Sequence, residues 1–240
     1  MSGESQVRWM TGLVSRWPLL CGAVALPLLL VITFFIALFT PGYSHLSDTV
    51  SRLGRDSPYA GVMNAGLMAY GLLVIVFAWG LYRQLGRSRT ARVVWLSLGV
   101  AGLGVLLVGI FRVDPESASG ATSLEGILHA VFSQLIFIGL LVWMIAFARA
   151  VYLDRAWAGF AQVSVAAAAV SVILSLIYRL DVSKTLEGLV ERAFFGLPLI
   201  LLEMVSLRAL WLAKARVMPA SAMARRQGTS PDSGGPAAGR

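Results

Sequence analysis

Residues able to do chemistry gather in three short tracts of this 240-residue sequence. The first, from Tyr43 to Asp56, holds His45, Asp48, Arg52 and Arg55 among Ser44, Ser47 and Ser51. In the second, Glu125 and His129 stand four residues apart, as do Glu187 and Glu191 in the third; that spacing puts both members of a pair on one helix face. Two chemistries follow. Imidazole and carboxylate suit a divalent metal such as zinc, so His45, Asp48, Glu125 and His129 form one candidate ligand set. A metal there with an open position would lower the pKa of bound water to about 7 and serve a membrane hydrolase acting on lipid-like substrates. Neither histidine belongs to an HxxxH or HExxH pair, so the pattern falls short of a metalloprotease motif. Guanidinium groups suit phosphate or carboxylate. Arg52, Arg112 and Arg179, with Asp114, Asp181, Glu187 and Glu191 beside them, form a candidate site for a lipid headgroup or small amphiphile. Beyond that metal, no cofactor is expected.

The second and third tracts also read alike. Phe111-Arg112-Val113-Asp114 leads to Ser123-Leu124-Glu125-Gly126, and Tyr178-Arg179-Leu180-Asp181 leads to Thr185-Leu186-Glu187-Gly188. Part of this chemistry is helix capping. Thr122 and Glu125 have capping-box spacing, Ser123 and Thr185 can cap, and a glutamate in the first turn complements the helix dipole. In the first tract, Leu46, Val50 and Leu53 fall at i, i+4 and i+7, as in a short amphipathic helix lying at an interface like a lid. A solvated loop with local ion pairs is the other reading of the same residues.

Long apolar segments must position these tracts. Hydrophobic residues make up 58% of the chain and charged residues 13%, with a mean hydropathy of +0.77, which excludes a soluble domain. A helix crossing the bilayer needs about 20 apolar residues. Six segments qualify, at 17–39, 58–82, 93–111, 126–148, 156–178 and 188–212. They are continuously apolar and lack the alternation of barrel strands. The expected fold is therefore all-α, with six transmembrane helices in a 17–212 domain. A cytoplasmic segment, 1–16, precedes it, and a basic tail at 213–240, rich in Pro, Gly and Ser, is expected to be disordered. The third-fourth and fifth-sixth hairpins would then be a parallel internal repeat.

Fourteen of the 20 basic residues fall on the side shared by the termini, and eight of the 12 acidic residues fall on the other. By the positive-inside bias both termini are cytoplasmic, which places the chain in the cell inner (plasma) membrane as a multi-pass protein with the three tracts outside. The same bias accounts for the net charge of +8 without nucleic acid. The expected partners are membrane lipids and other membrane proteins. Cys21 is the one cysteine, so no intrachain disulfide forms.

One acid stands apart from the outer tracts. Glu203 lies about 22 Å beyond Gly188 along its span, a depth at which an ionisable group marks either proton coupling or a buried hydrogen bond to Ser97, Gln162 or Ser164. Arg208, nearer the cytoplasm, is expected to snorkel.

The Ser44 to Gly54 tract, Asn64 in the second span, Phe111 to Asp114 and His129, all within six spans, resemble the prokaryotic integral-membrane family catalogued as domain of unknown function 998. The likeness covers residues 17 to 212. It implies the six-helix membrane architecture and carries over no catalytic residue. Three functions remain open: binding or moving a lipid headgroup or amphiphile at the outer face, a structural or partner-binding scaffold, and the metal-dependent hydrolase.

Overall fold

The computed structural model describes residues 16–115, 122–180 and 184–215. The described residues form seven α-helices and no strand: α1 (Trp17–Leu38), α2 (Val50–Asp56), α3 (Ala60–Gln84), α4 (Arg89–Ile110), α5 (Leu124–Val151), α6 (Phe160–Arg179) and α7 (Glu187–Ala215). All but the short α2 are long and apolar enough to cross a membrane. The expected segment 1–16 except Arg16, residue Asp181, and all of the expected tail beyond Ala215 lie outside the described residues.

Local chemistry sets the helix ends. Ser88 caps α4 by accepting the Ala91 N–H at 3.0 Å, so α4 begins at Arg89, four residues ahead of the apolar run. At α6 the shift is the other way. Residues Arg155–Trp157 form a 3₁₀ turn capped by Asp154, and Gly159 at φ +84° delays α6 to Phe160, because a positive φ is accessible to glycine at little steric cost. α2 starts at Val50 rather than at Leu46, which is exposed in the preceding loop.

Each spanning helix packs on the next around a closed ring, in the order α1, α3, α4, α5, α6, α7 and back to α1. The interior holds one large apolar cluster that includes Tyr70, Phe77, Leu98, Trp143, Phe147 and Leu202. Glycine permits a close crossing between α3 and α4. A Cβ on Gly102 would sit 2.8 Å from the Gly71 carbonyl, and one on Gly71 would strike the Gly102 carbonyl in turn, so the two backbones meet directly. Outward faces carry Phe34, Phe35, Val62, Ile173 and Leu207, all more than half exposed. A bundle with such faces is solvated by lipid.

The ring has two unlike ends. At one end, called here the capped end, α2 and the loops before α3, α5 and α7 meet. A smaller cluster of Ile36, Ala37, Leu53 and Met63 seats α2 on α1 and α3. The opposite, basic end carries Arg83, Arg87, Arg89, Arg92, Arg149, Arg155 and Lys214.

Candidate functional site

The polar residues of the capped end form one continuous network. Asp48, buried, accepts the Ser44 N–H at 2.7 Å on Oδ2 and pairs with Arg52 through Oδ1. Arg52 also holds Asp56 at 3.1 Å. Arg55 grips Asp56 at 2.5 and 2.6 Å and donates a further N–H to the Asp114 carbonyl. The Arg55 hydrogen bond, seconded by Arg52, holds the Asp56 carboxyl below the usual carboxylate range. Arg52 is therefore committed to two acids of its own tract rather than presented to a ligand.

The first turns of α7 reach into the same tract. Arg192 donates from Nη1 to three carbonyls, those of Gly188 at 2.7 Å, Asp48 at 2.8 Å and His45 at 2.9 Å, and from Nη2 to the Tyr43 hydroxyl. Burial foremost pushes the Tyr43 hydroxyl up to about 12, so it stays protonated and donates to the Thr49 carbonyl at 3.2 Å. Thr49 supplies no side-chain cap to α2. Glu191 takes that place, accepting the Val50 N–H at 2.8 Å across 141 residues of sequence. The Leu189 N–H adds a bond to the Leu46 carbonyl at 3.0 Å. Only glycine fits at position 188, where a Cβ would strike the Asp48 carbonyl.

On α5, His129 is buried with both ring nitrogens engaged: Nδ1 lies 2.8 Å from the Phe111 carbonyl and Nε2 3.2 Å from the Ser51 hydroxyl. A carbonyl only accepts, so Nδ1 carries the proton; in the neutral ring Nε2 then accepts from Ser51. Asp114 gathers the N–H groups of Thr122 at 2.7 Å and Ser123 at 2.9 Å and the Ser123 hydroxyl at 2.5 Å. These bonds, led by the Ser123 hydroxyl, hold its carboxyl below the ordinary range. The expected Thr122–Glu125 capping box is replaced. Ser123 caps α5 through the Gly126 N–H at 2.9 Å, and Glu125 accepts the Arg112 N–H at 3.0 Å. A Cβ on Gly126 would meet the Asp114 carboxylate, which would have to shift to admit it.

The anticipated sites are thus rearranged. Among the described residues, no three His, Cys, Asp or Glu side chains are grouped to hold a metal ion. The four expected ligands have separate occupations: His45 is exposed with its ring edge-on to Tyr43, Asp48 holds Arg52, Glu125 holds the Arg112 N–H, and His129 has both nitrogens occupied. Of the anion-binding set, Arg179 is exposed and donates to the Gln134 amide oxygen at 2.5 Å. Glu187 accepts from the Tyr178 hydroxyl at 3.0 Å. Asp181 lies outside the described residues. Arg112 is exposed, and its guanidinium makes no hydrogen bond or ion pair with any described residue. Arg192 and Tyr43, neither of them in the candidate sets drawn from sequence, tie the first tract to α7. The available signal was an arginine beside an acidic candidate in the first turns of a span.

Deeper in the ring, the Glu203 Oε2 and the Tyr70 hydroxyl are buried without a hydrogen-bond partner among the described residues. The expected partners of Glu203 turn elsewhere: Ser97 bonds the Val93 carbonyl at 2.7 Å and Ser164 the Phe160 carbonyl at 2.7 Å, each within its own helix. Arg208 reaches toward the basic end and donates to the Ala156 carbonyl at 2.6 and 2.9 Å, with Trp211 beneath it at 4.4 Å.

Six apolar helices around an apolar interior, with large hydrophobic side chains outward, define a multi-pass membrane protein. The model of the family described as protein of unknown function (DUF998) matches residues 23–208, and the chain belongs to that family. No curated protein and no solved structure matches the chain.

Proposed function

We propose that the capped end faces away from the cytoplasm, with both termini cytoplasmic in the plasma membrane, and that Arg112 and Arg179 at its rim bind the anionic headgroup of a lipid or small amphiphile. The observation that carries this reading is the Arg112 guanidinium, exposed and without a partner among the described residues while its own backbone N–H is fastened by Glu125. Arg179 holds only a neutral amide oxygen, a weaker acceptor than a phosphate oxygen. The basic residues massed at the opposite end support the orientation. The two hairpins carrying these arginines read as a parallel repeat. In support, both Leu-Glu-Gly first turns use glycine to admit an oxygen acceptor, the Asp114 carboxylate at Gly126 and the Asp48 carbonyl at Gly188.

The test is binding of short-chain phosphatidic acid to the detergent-solubilised protein. Arg112→Gln and Arg179→Gln together should weaken it by about tenfold or more, the worth of charge-assisted hydrogen bonds. Equal affinity in wild type and the double variant excludes the site. A second reading, a structural or partner-binding scaffold, draws on the saturation of the remaining cap by its own hydrogen bonds. It expects variants of Arg192 or Glu191 to lower stability while Arg112 and Arg179 variants change nothing measurable.

A further inference from the structure

A groove of about 950 Å³ opens at the basic end between the start of α4, the end of α5 and the first half of α6. Its volume lies within the roughly 300–1,000 Å³ of small-molecule sites. Thr90, Arg149 and Gln162 lie among its walls, with Ile145, Ala166 and Ala169 deeper along α5 and α6. Between Ala161 and Ala169 α6 rises about 12 Å, so the groove runs from a polar mouth at the helix ends into the level of the hydrocarbon. The alanines of its floor leave a channel flanked by the larger Ile145, Tyr152, Leu153 and Val165.

The charge at the mouth is one-sided. Arg149 is exposed and makes no hydrogen bond or ion pair with a described residue. Asp154 is the one acid at this end among the described residues, and its carboxylate is occupied as the cap of the Arg155–Trp157 turn, accepting the Ala156 N–H at 2.8 Å. A cation and two hydroxyl or amide groups at the mouth, above an alanine-lined apolar trough, match a phosphate headgroup above an acyl chain.

We propose that this groove is a specific site for an anionic phospholipid of the leaflet at the basic end, its phosphate on Arg149 with Thr90 and Gln162, and one chain along Ala166 and Ala169. The site is separate from the Arg112 rim and stands independently of it.

Native mass spectrometry of the full chain, released from bilayers of equal phosphatidylglycerol and phosphatidylcholine, tests the proposal. Wild type should retain phosphatidylglycerol over phosphatidylcholine by about fivefold, the factor that one arginine near a membrane surface supplies. Arg149→Gln should abolish the preference when made in an Arg112→Gln, Arg179→Gln background, which removes the rim arginines. Ala166→Phe with Ala169→Phe should reduce retention of both lipids. All three positions are exposed, so these variants leave the packed core untouched. The Arg112→Gln, Arg179→Gln background by itself should still retain phosphatidylglycerol over phosphatidylcholine. No preference in wild type, or a preference surviving Arg149→Gln in that background, overturns the proposal; so does a preference already lost in the background itself, which would assign the lipid to the opposite rim.

Discussion

The two ends of the bundle use charge in opposite ways. At the capped end, Arg52, Arg55 and Arg192 are fastened to carboxylates, carbonyls and a phenol of the protein. At the basic end, Arg87, Arg89, Arg92, Arg149 and Lys214 make no hydrogen bond or ion pair with any described residue. A loop that seals one end of a ring must satisfy its buried backbone groups internally, because burying them unpaired costs about 1–3 kcal/mol each. Charges that face lipid headgroups and water carry no such obligation. The capped end is thus architecture with Arg112 and Arg179 left over at its rim, whereas these cations of the basic end are bound to nothing among the described residues.

The most direct test of this contrast is steric. Gly188→Ala pushes a methyl group into the Asp48 carbonyl and should cost about 1–3 kcal/mol in detergent unfolding. Gly99→Ala, which meets nothing within 4 Å, should be neutral or gain up to about 1 kcal/mol. Equal effects would mean that the loop is not seated on α7.

Next comes the arginine comparison. Arg192→Ala strips donors from three carbonyls and the Tyr43 hydroxyl and should destabilise by about 2–3 kcal/mol, whereas Arg149→Ala should stay within about 0.5 kcal/mol. Matching thermal shifts would erase the difference between the ends.

The two histidines sharpen the comparison within the cap. His129→Ala should cost about 1–3 kcal/mol by leaving the Phe111 carbonyl and Ser51 without their partner, and His45→Ala less than about 0.5 kcal/mol. Native mass spectrometry of wild type against a His129→Ala, Glu125→Ala variant adds a separate readout. A divalent metal adduct confined to wild type would contradict the separate occupations of these side chains.

The smallest effect concerns acid. Asp114 has its folded-state pKa depressed, so its contribution is complete above the unfolded value near 3.9 and is lost as pH falls through the folded one. Exchange protection of the Gly126 amide, corrected for intrinsic rate, should therefore hold steady from pH 8 to about 5 and fall only below about 4. Asp114→Asn should weaken the cap without that acid dependence.

Much of the architecture was legible because spanning helices are a local property. Twenty apolar residues in a row have one stable arrangement in hydrocarbon, and all six were visible, with ends shifted by Ser88 and Gly159. The short amphipathic helix was legible from Leu53 and Val50 but not its start, since Leu46 offers its carbonyl to the Leu189 N–H instead of entering the helix. The candidate site was less legible. Glu125 and His129 share a helix face by spacing, yet one faces solvent and holds a backbone N–H while the other is buried against Phe111 and Ser51. Four-residue spacing reports direction along one helix and says nothing of what the neighbouring loop brings to it.

What the amino-acid sequence by itself determined was the number and approximate extent of the spans, the family, and the two ends toward which charge is sorted. These depend on composition within about 20 residues. Tertiary structure alone decided that Glu191 caps a helix 141 residues away, that Arg192 bridges the first tract and α7, and that Arg112 and Arg149 are left without hydrogen-bond or ion-pair partners among the described residues. Hydrogen-bond partnership depends on distances of about 3 Å between groups far apart in the chain, and only the closing of the ring sets those distances.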